Sequence, residues 1–214
     1  MQVYEKVVNV IHNPLATDAT ERINGFKETI AAQDGDWQYR IWHCIIDQKS
    51  VTRSINLSHK MLVKAARSAN MPNMVIAEDD LIIPAKDGLE WWLDQINKYE
   101  SENESLQFDI SVGGNYTTGM HSMDNNGARC SKITGLQLYI IRRRFYDTFL
   151  GIGDGGHIDT SLPEDGCYIQ PPLIVGLQRP SFSANLGQNT NYNKIIKSVN
   201  VYGGENCPKE WFGD

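Results

Sequence analysis

The chain has 214 residues, of which 41% are hydrophobic and 21% charged, with a formal net charge of -6. That length suffices for one domain with a sizeable core, and the composition is that of an ordinary soluble globular protein. A disordered or fibrous chain is excluded, and the acidic balance weighs against a large nucleic-acid footprint, though not against a local basic patch. The opening MQVYEKVVNVIHNP has no basic stretch followed by an apolar one, and no apolar run nears the roughly 18 residues of a membrane span. A cytoplasmic location is the expectation. Cys44, Cys130, Cys167 and Cys207 are far apart and form no CxxC, so free thiols are expected rather than a zinc site or a disulfide framework.

Taken in chain order, Lys6 to Ile11 (KVVNVI) reads as a buried strand. A loop follows, with Asp18 as helix N-cap and Glu21 three residues later in a capping-box pattern. Ile23, Phe26 and Ile30 then mark one helical face. Tyr39 to Ile46 reads as a second strand. A second helix spans Ser54 to Ala69, with Leu62, Ala65, Ala66 and Ala69 on one stripe, and Met74 to Ala77 forms a third strand. This β-α-β-α-β run predicts a parallel sheet with right-handed crossovers, whose ligands lie beyond the carboxyl ends of the strands. Leu89, Trp92, Leu93 and Ile96 mark a third helix, and Phe108 to Val112 another strand closing on Gly113-Gly114. Gly119 to Lys132 lacks period and reads as a mobile loop. Leu136 to Ile141 is a strand feeding the helix of RRRFYDTFL, and the short strand CYIQ and the run PPLIVGLQ precede a polar tail. No repeat, low-complexity segment or linker divides the chain.

Residues Asn73 to Pro84, NMVIAEDDLIIP, place Glu78, Asp79 and Asp80 between two apolar runs at the end of the third strand. Carboxylates in such a setting are paired or hold a metal. In an extended strand, Glu78 and Asp80 would share a face and Asp79 would oppose them. Oxygen ligands of this kind suit Mn2+ or Mg2+ shared with substrate phosphates and waters. The plain alternative is a solvated turn whose acids pair with nearby basic side chains.

The block SHKMLVKAARSANMPNMVIAEDDLIIP resembles the helix and "EDD" metal motif of glycosyltransferase family 25-like enzymes, which include lipooligosaccharide-biosynthesis and collagen galactosyltransferases. FDISVGGNY, ITGLQLYIIRRRFYDTFL and HIDTSLPEDGCYIQPPLIVGLQRPSFS follow in the family's order, so the similarity runs from about residue 55 to about residue 190. The resemblance implies a GT-A-like α/β fold, Rossmann-like, with a mostly parallel sheet flanked by helices in a single domain. It implies a nucleotide-sugar donor, a UDP-sugar first among them, and a DXD-like motif with Mn2+ or Mg2+. Residues 1–84 would form the donor half, 105–190 the acceptor-side half and 191–214 a tail. By this analogy Asp80 is the principal metal ligand, Glu78 lies toward the metal or the donor ribose, and Asp79 serves either role. His12, Asn13, Arg22 and His59 are placed at the donor, although His12-Asn13-Pro14 stands where the family has asparagine–leucine followed by arginines.

His157 and Asp159 share a face if extended, as a further metal ligand and a general base on an acceptor hydroxyl, or as a loop histidine and a helix N-cap. Glu164 and Asp165 are rival bases. Gly113, Gly114 and Tyr116 at a strand end admit close approach and stacking of a sugar, or make a plain turn. Lys60 or Lys64 could reach phosphate or line a solvated helix face. Gln178, Arg179 and Ser183 gain acceptor or donor roles from the family pattern alone. Trp92 fits the core and Trp91 is more exposed. The function expected is sugar transfer with inversion to a bacterial surface glycan. The alternatives are transfer to a hydroxymethylated DNA base in a virus, for which Arg142-Arg143-Arg144 and Trp211-Phe212 would matter, a metal-dependent phosphohydrolase or nuclease, and a non-catalytic binding module. The Gly119–Lys132 loop and the carboxyl-terminal third would choose the acceptor.

Overall fold

The first half of the chain alternates strand and helix: β1 (Val7–His12), α1 (Ala19–Ala31), β2 (Gln38–His43), α2 (Val51–Ser68) and β3 (Asn73–Glu78). The computed structural model describes residues 4–102, 107–114, 117–124, 127–183 and 188–213, with 117–124, 127–128 and 181–183 as backbone only. A short β4 (Leu81–Ile82) and α3 (Gly88–Glu102) follow. Then come β5 (Ile110–Gly114), β6 (Thr117–Asp124), β7 (Gly127–Thr134), β8 (Leu138–Arg142), α4 (Tyr146–Gly151), β9 (Tyr168–Gln170), β10 (Leu177–Gln178), β11 (Ser181–Ser183) and β12 (Gln188–Thr190). The helix expected from Asp18 is there, but the Asp18 side chain makes no cap hydrogen bond. The working cap belongs to α2, where Ser50 Oγ accepts the Arg53 N–H at 3.1 Å. Asn70, in the left-handed region at φ 57°, closes that helix before Pro72.

Eight strands form one sheet in the order β2-β1-β3-β8-β5-β9-β7-β6. β1 pairs in parallel with both β2 and β3, as the β-α-β-α-β reading predicts. β8 and β7 run against the other six, so the sheet is mostly parallel in direction though mixed in its pairings. This is the α/β architecture expected from the sequence, a GT-A-like or Rossmann-like sheet flanked by helices.

Alternation along the strands divides the core into two layers. Val8, Val10, Val75, Ala77, Leu138 and Ile140 face α1 and α3, where Phe26, Ile30, Leu89 and Trp92 meet them. Met74, Ile76, Tyr139 and Ile141 face α2 and α4, against Leu62, Val63, Ala66, Tyr146 and Phe149. A third, smaller cluster of Ile174, Leu177, Ile196, Val201 and Phe212 fastens the carboxyl-terminal segment to the chain around β10.

One expectation is overturned. Of residues 119–132, read as a mobile loop, 119–124 belong to β6 and 127–132 to β7, and β7 joins the sheet through Ala128–Gln170, Arg129–Ile169 and Cys130–Tyr168. Nothing in the polar GMHSMDNNGARCSK alternates as a half-buried strand does. The strand arises because β9 offers a free edge for backbone hydrogen bonds, a tertiary cause that local periodicity does not record.

Candidate active site

β2 and β3 lie on opposite sides of β1, so the chain reverses its direction of winding between β1 and β3. In open α/β sheets the crevice beyond the carboxyl ends at such a reversal is the usual ligand site. His12 ends β1 and Glu78 ends β3, with Asp79 and Asp80 in the turn that follows. Location and chemistry therefore meet at the acid triplet.

Asp79, 2% exposed, points to the α1 face. Its Oδ2 lies 2.7 Å from His12 Nδ1 and accepts the Asn13 N–H at 3.1 Å. Its Oδ1 accepts from Arg22 Nε at 2.8 Å, and Arg22 Nη2 also contacts it. With both oxygens engaged, this carboxylate ties β1, α1 and β3 together. Burial works against the charge of Arg22, but Asp80 and then Asp79 outweigh it and raise its pKa further.

Glu78 points the other way, toward α2. His59 Nε2 is 3.4 Å from its Oε1, and His59 Nδ1 is 2.9 Å from the Tyr139 hydroxyl. His59 and Tyr139 are 2% and 0% exposed, whereas the Glu78 side chain is 28% exposed. With a proton on Nε2, His59 donates to Glu78, and its Nδ1 meets the Tyr139 hydroxyl. Burial opposes the ionisation of Glu78, but the hydrogen bond and charge of His59, with Arg22 behind them, hold its carboxyl below the usual range. Burial, and Glu78 after it, raise the Tyr139 hydroxyl well above its ordinary value.

Asp80 differs from both. The strand ends at Glu78, so the turn carries Asp80 away from the side that strict alternation predicts and brings it beside Arg22 Nη2, at 3.2 Å. Its Oδ2 accepts from Gln178 Nε2 at 2.7 Å, and its carbonyl accepts the Arg179 N–H at 2.7 Å. Its Oδ1 is buried and has no hydrogen-bond partner among the described residues. Burial, opposed by Arg22 but reinforced by Glu78 and Asp79, pushes this carboxyl up to about 7. An unpaired buried carboxylate oxygen is costly unless a proton or a cation meets it.

The remaining candidates separate. Asp159 Oδ2 accepts the Gly135 N–H at 2.7 Å and its Oδ1 accepts the Thr160 N–H at 2.8 Å. Gly135 stands two residues before Gln137, whose carbonyl accepts the Glu78 N–H, so Asp159 lies at the same edge of the sheet as the acids. His157 is exposed, and its carbonyl accepts from Ser161 N–H and Thr160 Oγ1. Glu164 pairs with Lys132 at 3.3 Å, both well exposed, and Asp165 is exposed. Asn13 Oδ1 accepts the Leu15 N–H, closing the turn after β1. Lys60 Nζ donates to the Ile152 carbonyl and to Asp154 Oδ1, while Lys64 is exposed.

Gly114 is buried, and a Cβ there would lie 3.0 Å from the Gly176 carbonyl oxygen, so its missing side chain admits the chain's own backbone. Val175 and Gly176 both donate N–H groups to the Gly113 carbonyl at that crossing. Gln178, expected at the acceptor, is held to Asp80, and its own carbonyl accepts from the buried Asn193 Nδ2 at 2.7 Å. Tyr116 and the Ser183 side chain lie outside the described residues. Trp92 is in the core, and Trp91 stacks on Tyr202 with centroids 4.4 Å apart. The Arg142–Arg144 run sits at the far end of β8, away from the acids, and Phe212 is buried in the third core cluster.

Gln137, Tyr139 and Asn193 also shape this site, and no local pattern marks them. Tyr139 reads as one more apolar strand residue, and Gln137 and Asn193 as polar punctuation. Among the described residues no group of three or more His, Cys, Asp and Glu side chains is arranged to hold an ion.

No family model matches the chain, and no curated protein matches it. Solved structures do resemble it loosely. The A197 protein from STIV aligns at a TM-score of 0.42 with 14% identity, covering 77% of this chain and 80% of that one. HddC from Yersinia pseudotuberculosis aligns at 0.40 with 8% identity, covering 77% and 88%. A glycosyltransferase involved in glycosylation of the major capsid of PBCV-1 aligns at 0.38 with 8% identity, covering 66% and 62%. Similarity at this level carries nothing about chemistry. No described helix is long and apolar enough to cross a membrane.

Proposed function

We propose that the protein is a metal-dependent glycosyltransferase that moves a sugar from a nucleotide-sugar donor, a UDP-sugar first, to an acceptor hydroxyl. The observation that carries this reading is Asp80: a side chain 2% exposed, with a carboxyl oxygen left without a partner among the described residues, in the turn that follows Glu78 at the carboxyl end of β3. Two carboxylates fit Mn2+ or Mg2+ without a full protein cage, because such ions complete their shell with phosphate oxygens and water. Asp80 and Glu78 would hold the ion, while Asp79 is occupied by His12, Asn13 and Arg22. When bound, the ion supplies positive charge against the leaving diphosphate.

The chain's own residues do the rest. Asp79 fixes Arg22, whose guanidinium stands beside Asp80 and is available to phosphate once the ion meets that carboxylate. His59 holds Glu78. Asp159, at the same edge and with a second lone pair on each oxygen, takes the proton of the acceptor hydroxyl as it attacks the anomeric carbon from the face opposite the diphosphate. The configuration then inverts. His157, exposed and two residues from that base, is not a ligand of the ion in this reading, since it makes no group of three with Asp80 and Glu78. Residues 1–84 form the donor half in this reading, and the β6–β7 hairpin with the later segments forms the acceptor half.

The acceptor of this reading is a bacterial surface glycan. DNA is the less favoured acceptor, because Arg142 and Arg144 are paired with Glu100 and Asp109 and Phe212 is buried. The test is release of free nucleotide from a panel of nucleotide sugars, with Mn2+ and with EDTA, by the wild type and by Asp80→Ala. Metal-dependent release from one donor, lost in the variant, is the expected result. No release and no metal-dependent donor binding across the panel would overturn the proposal in favour of phosphodiester hydrolysis or simple binding.

A further inference from the structure

Buried polar atoms without partners are few in folded proteins, and each one asks for an explanation. Here they gather at one place. Of the seven side-chain atoms in this condition among the described residues, Asp80 Oδ1, Gln137 Oε1, Arg179 Nε and Asn193 Oδ1 belong to the acid turn, the segment beside it and the chain that covers it. Asp80 is accounted for by the proposed ion. Gln137 is not.

Gln137 is 6% exposed, and it stands one residue before β8 at the edge where β3 and β5 end. Its carbonyl accepts the Glu78 N–H at 2.9 Å, so its backbone adjoins the acid that would share the ion. Its Oε1 lies 3.7 Å from the position a Cβ would take on Gly114, the strand-end glycine that packs against the Gly176 backbone. A leucine or methionine there would fill similar volume without leaving a buried amide oxygen unmet, so packing alone does not call for glutamine. Asn9, a buried amide within β1, shows the ordinary case: its Nδ2 donates to the Val75 carbonyl and its Oδ1 accepts from Trp42 Nε1.

We infer that Gln137 is a specificity-determining residue, whose carboxamide hydrogen-bonds a hydroxyl of the transferred sugar. This rests on the glycosyltransferase reading and deepens it. A site built around a polar group discriminates sharply against a ligand that lacks the matching hydroxyl, because the buried group is then left bare. A hydroxyl can donate to Oε1 and accept from Nε2, so one glutamine can read both the presence and the direction of that group.

The experiment compares binding of UDP-glucose, UDP-galactose and their monodeoxy analogues in the presence of Mn2+, by calorimetry, to the wild type and to Gln137→Leu and Gln137→Met. The wild type is expected to bind one parent sugar about 10- to 100-fold more tightly than one of its deoxy analogues. Both variants are expected to lose that preference while keeping the affinity of the deoxy analogue within about threefold. Thermal melting of the ligand-free variants at or above the wild-type temperature would confirm that they fold. If parent sugars bind and the deoxy preferences survive in both variants, Gln137 reads no hydroxyl and the inference is overturned alone. If no member of the full nucleotide-sugar panel binds the wild type with or without Mn2+, the transferase reading falls and takes this inference with it.

Discussion

The sheet has two rims where its inner strands end, and at each of these edges arginine is buried against carboxylate for a different purpose. At the edge where β8 finishes, Arg142 contacts Glu100 and donates to the Tyr4 hydroxyl at 2.7 Å, with its guanidinium 4.0 Å from the Phe108 centroid. Arg144 Nε meets Asp109 Oδ1 at 2.7 Å, and Asp109 Oδ2 accepts the Cys167 N–H at 2.8 Å. Two arginines face two acids, and each carboxylate oxygen has a donor. At the opposite edge, Arg22 faces Glu78, Asp79 and Asp80, with His12 and His59 as the other basic partners among the described residues, and Asp80 Oδ1 is left over. Structural ion pairs tend toward balance because an uncompensated buried charge is expensive. On the proposed reading, the surplus negative charge at the other edge is answered by a bound cation.

The sharpest way to break this comparison is to remove adjacent acids separately. Asp79→Ala leaves Arg22 and His12 facing a void, and should cost about 3–5 kcal/mol in urea unfolding. Glu100→Ala should be destabilising in the same direction at the balanced edge, and added Mn2+ should restore neither. Were Asp79→Ala neutral, Asp79 would not be the tie between β1, α1 and β3.

Asp80 should behave oppositely. Its carboxyl is raised by burial to about 7, so the metal-free native state binds a proton that the unfolded chain has already lost above about pH 4. That contribution is fully present below pH 4 and is lost as pH rises toward 7, at up to about 1.4 kcal/mol per pH unit. Glu78 shifts the other way, so its contribution is lost only as pH falls below the ordinary carboxylate range. Metal-free Asp80→Asn should therefore be the more stable protein at pH 8, by about 2–4 kcal/mol, and flat between pH 5 and 7 where wild type declines. Parallel stability profiles for the two proteins would rule out the raised carboxyl.

A smaller effect sharpens the role of His59. Tyr139→Phe removes only the hydroxyl that meets Nδ1, and should cost about 1 kcal/mol of stability. It should also weaken Mn2+ binding by about tenfold, through a looser Glu78, as measured by paramagnetic relaxation of water. Loss of stability with unchanged Mn2+ affinity would make the Tyr139–His59 pair a core contact and nothing more.

Much of the fold of the amino-terminal half was legible beforehand. Strand–helix alternation through Glu78 rests on local periodicity, which a sequence displays directly, and the apolar runs on either side of the acids marked their burial. Less of the site was legible. The opposing directions of Glu78 and Asp79 follow from strand alternation, but the turn at Asp80 breaks that rule, and no local signal says that a strand stops there. The pairing of Asp80 with Gln178 spans 98 residues, and the support of Gln178 by Asn193 comes from a segment read only as a polar tail.

By itself, the sequence determined which residues carry charge at the end of the third strand and that the flanking runs would bury them, because hydrophobic periodicity and residue type are local properties. Only the tertiary structure decided which acid is used up and which is left open. Asp79 and Asp80 are the same residue type one position apart, and the difference between them is the set of donors that distant elements bring: β1 and α1 supply four contacts to the first, while β10 and α1 leave one oxygen of the second unmet. The β6–β7 hairpin has the same physical origin, since its strands exist where β9 offers an edge to pair with.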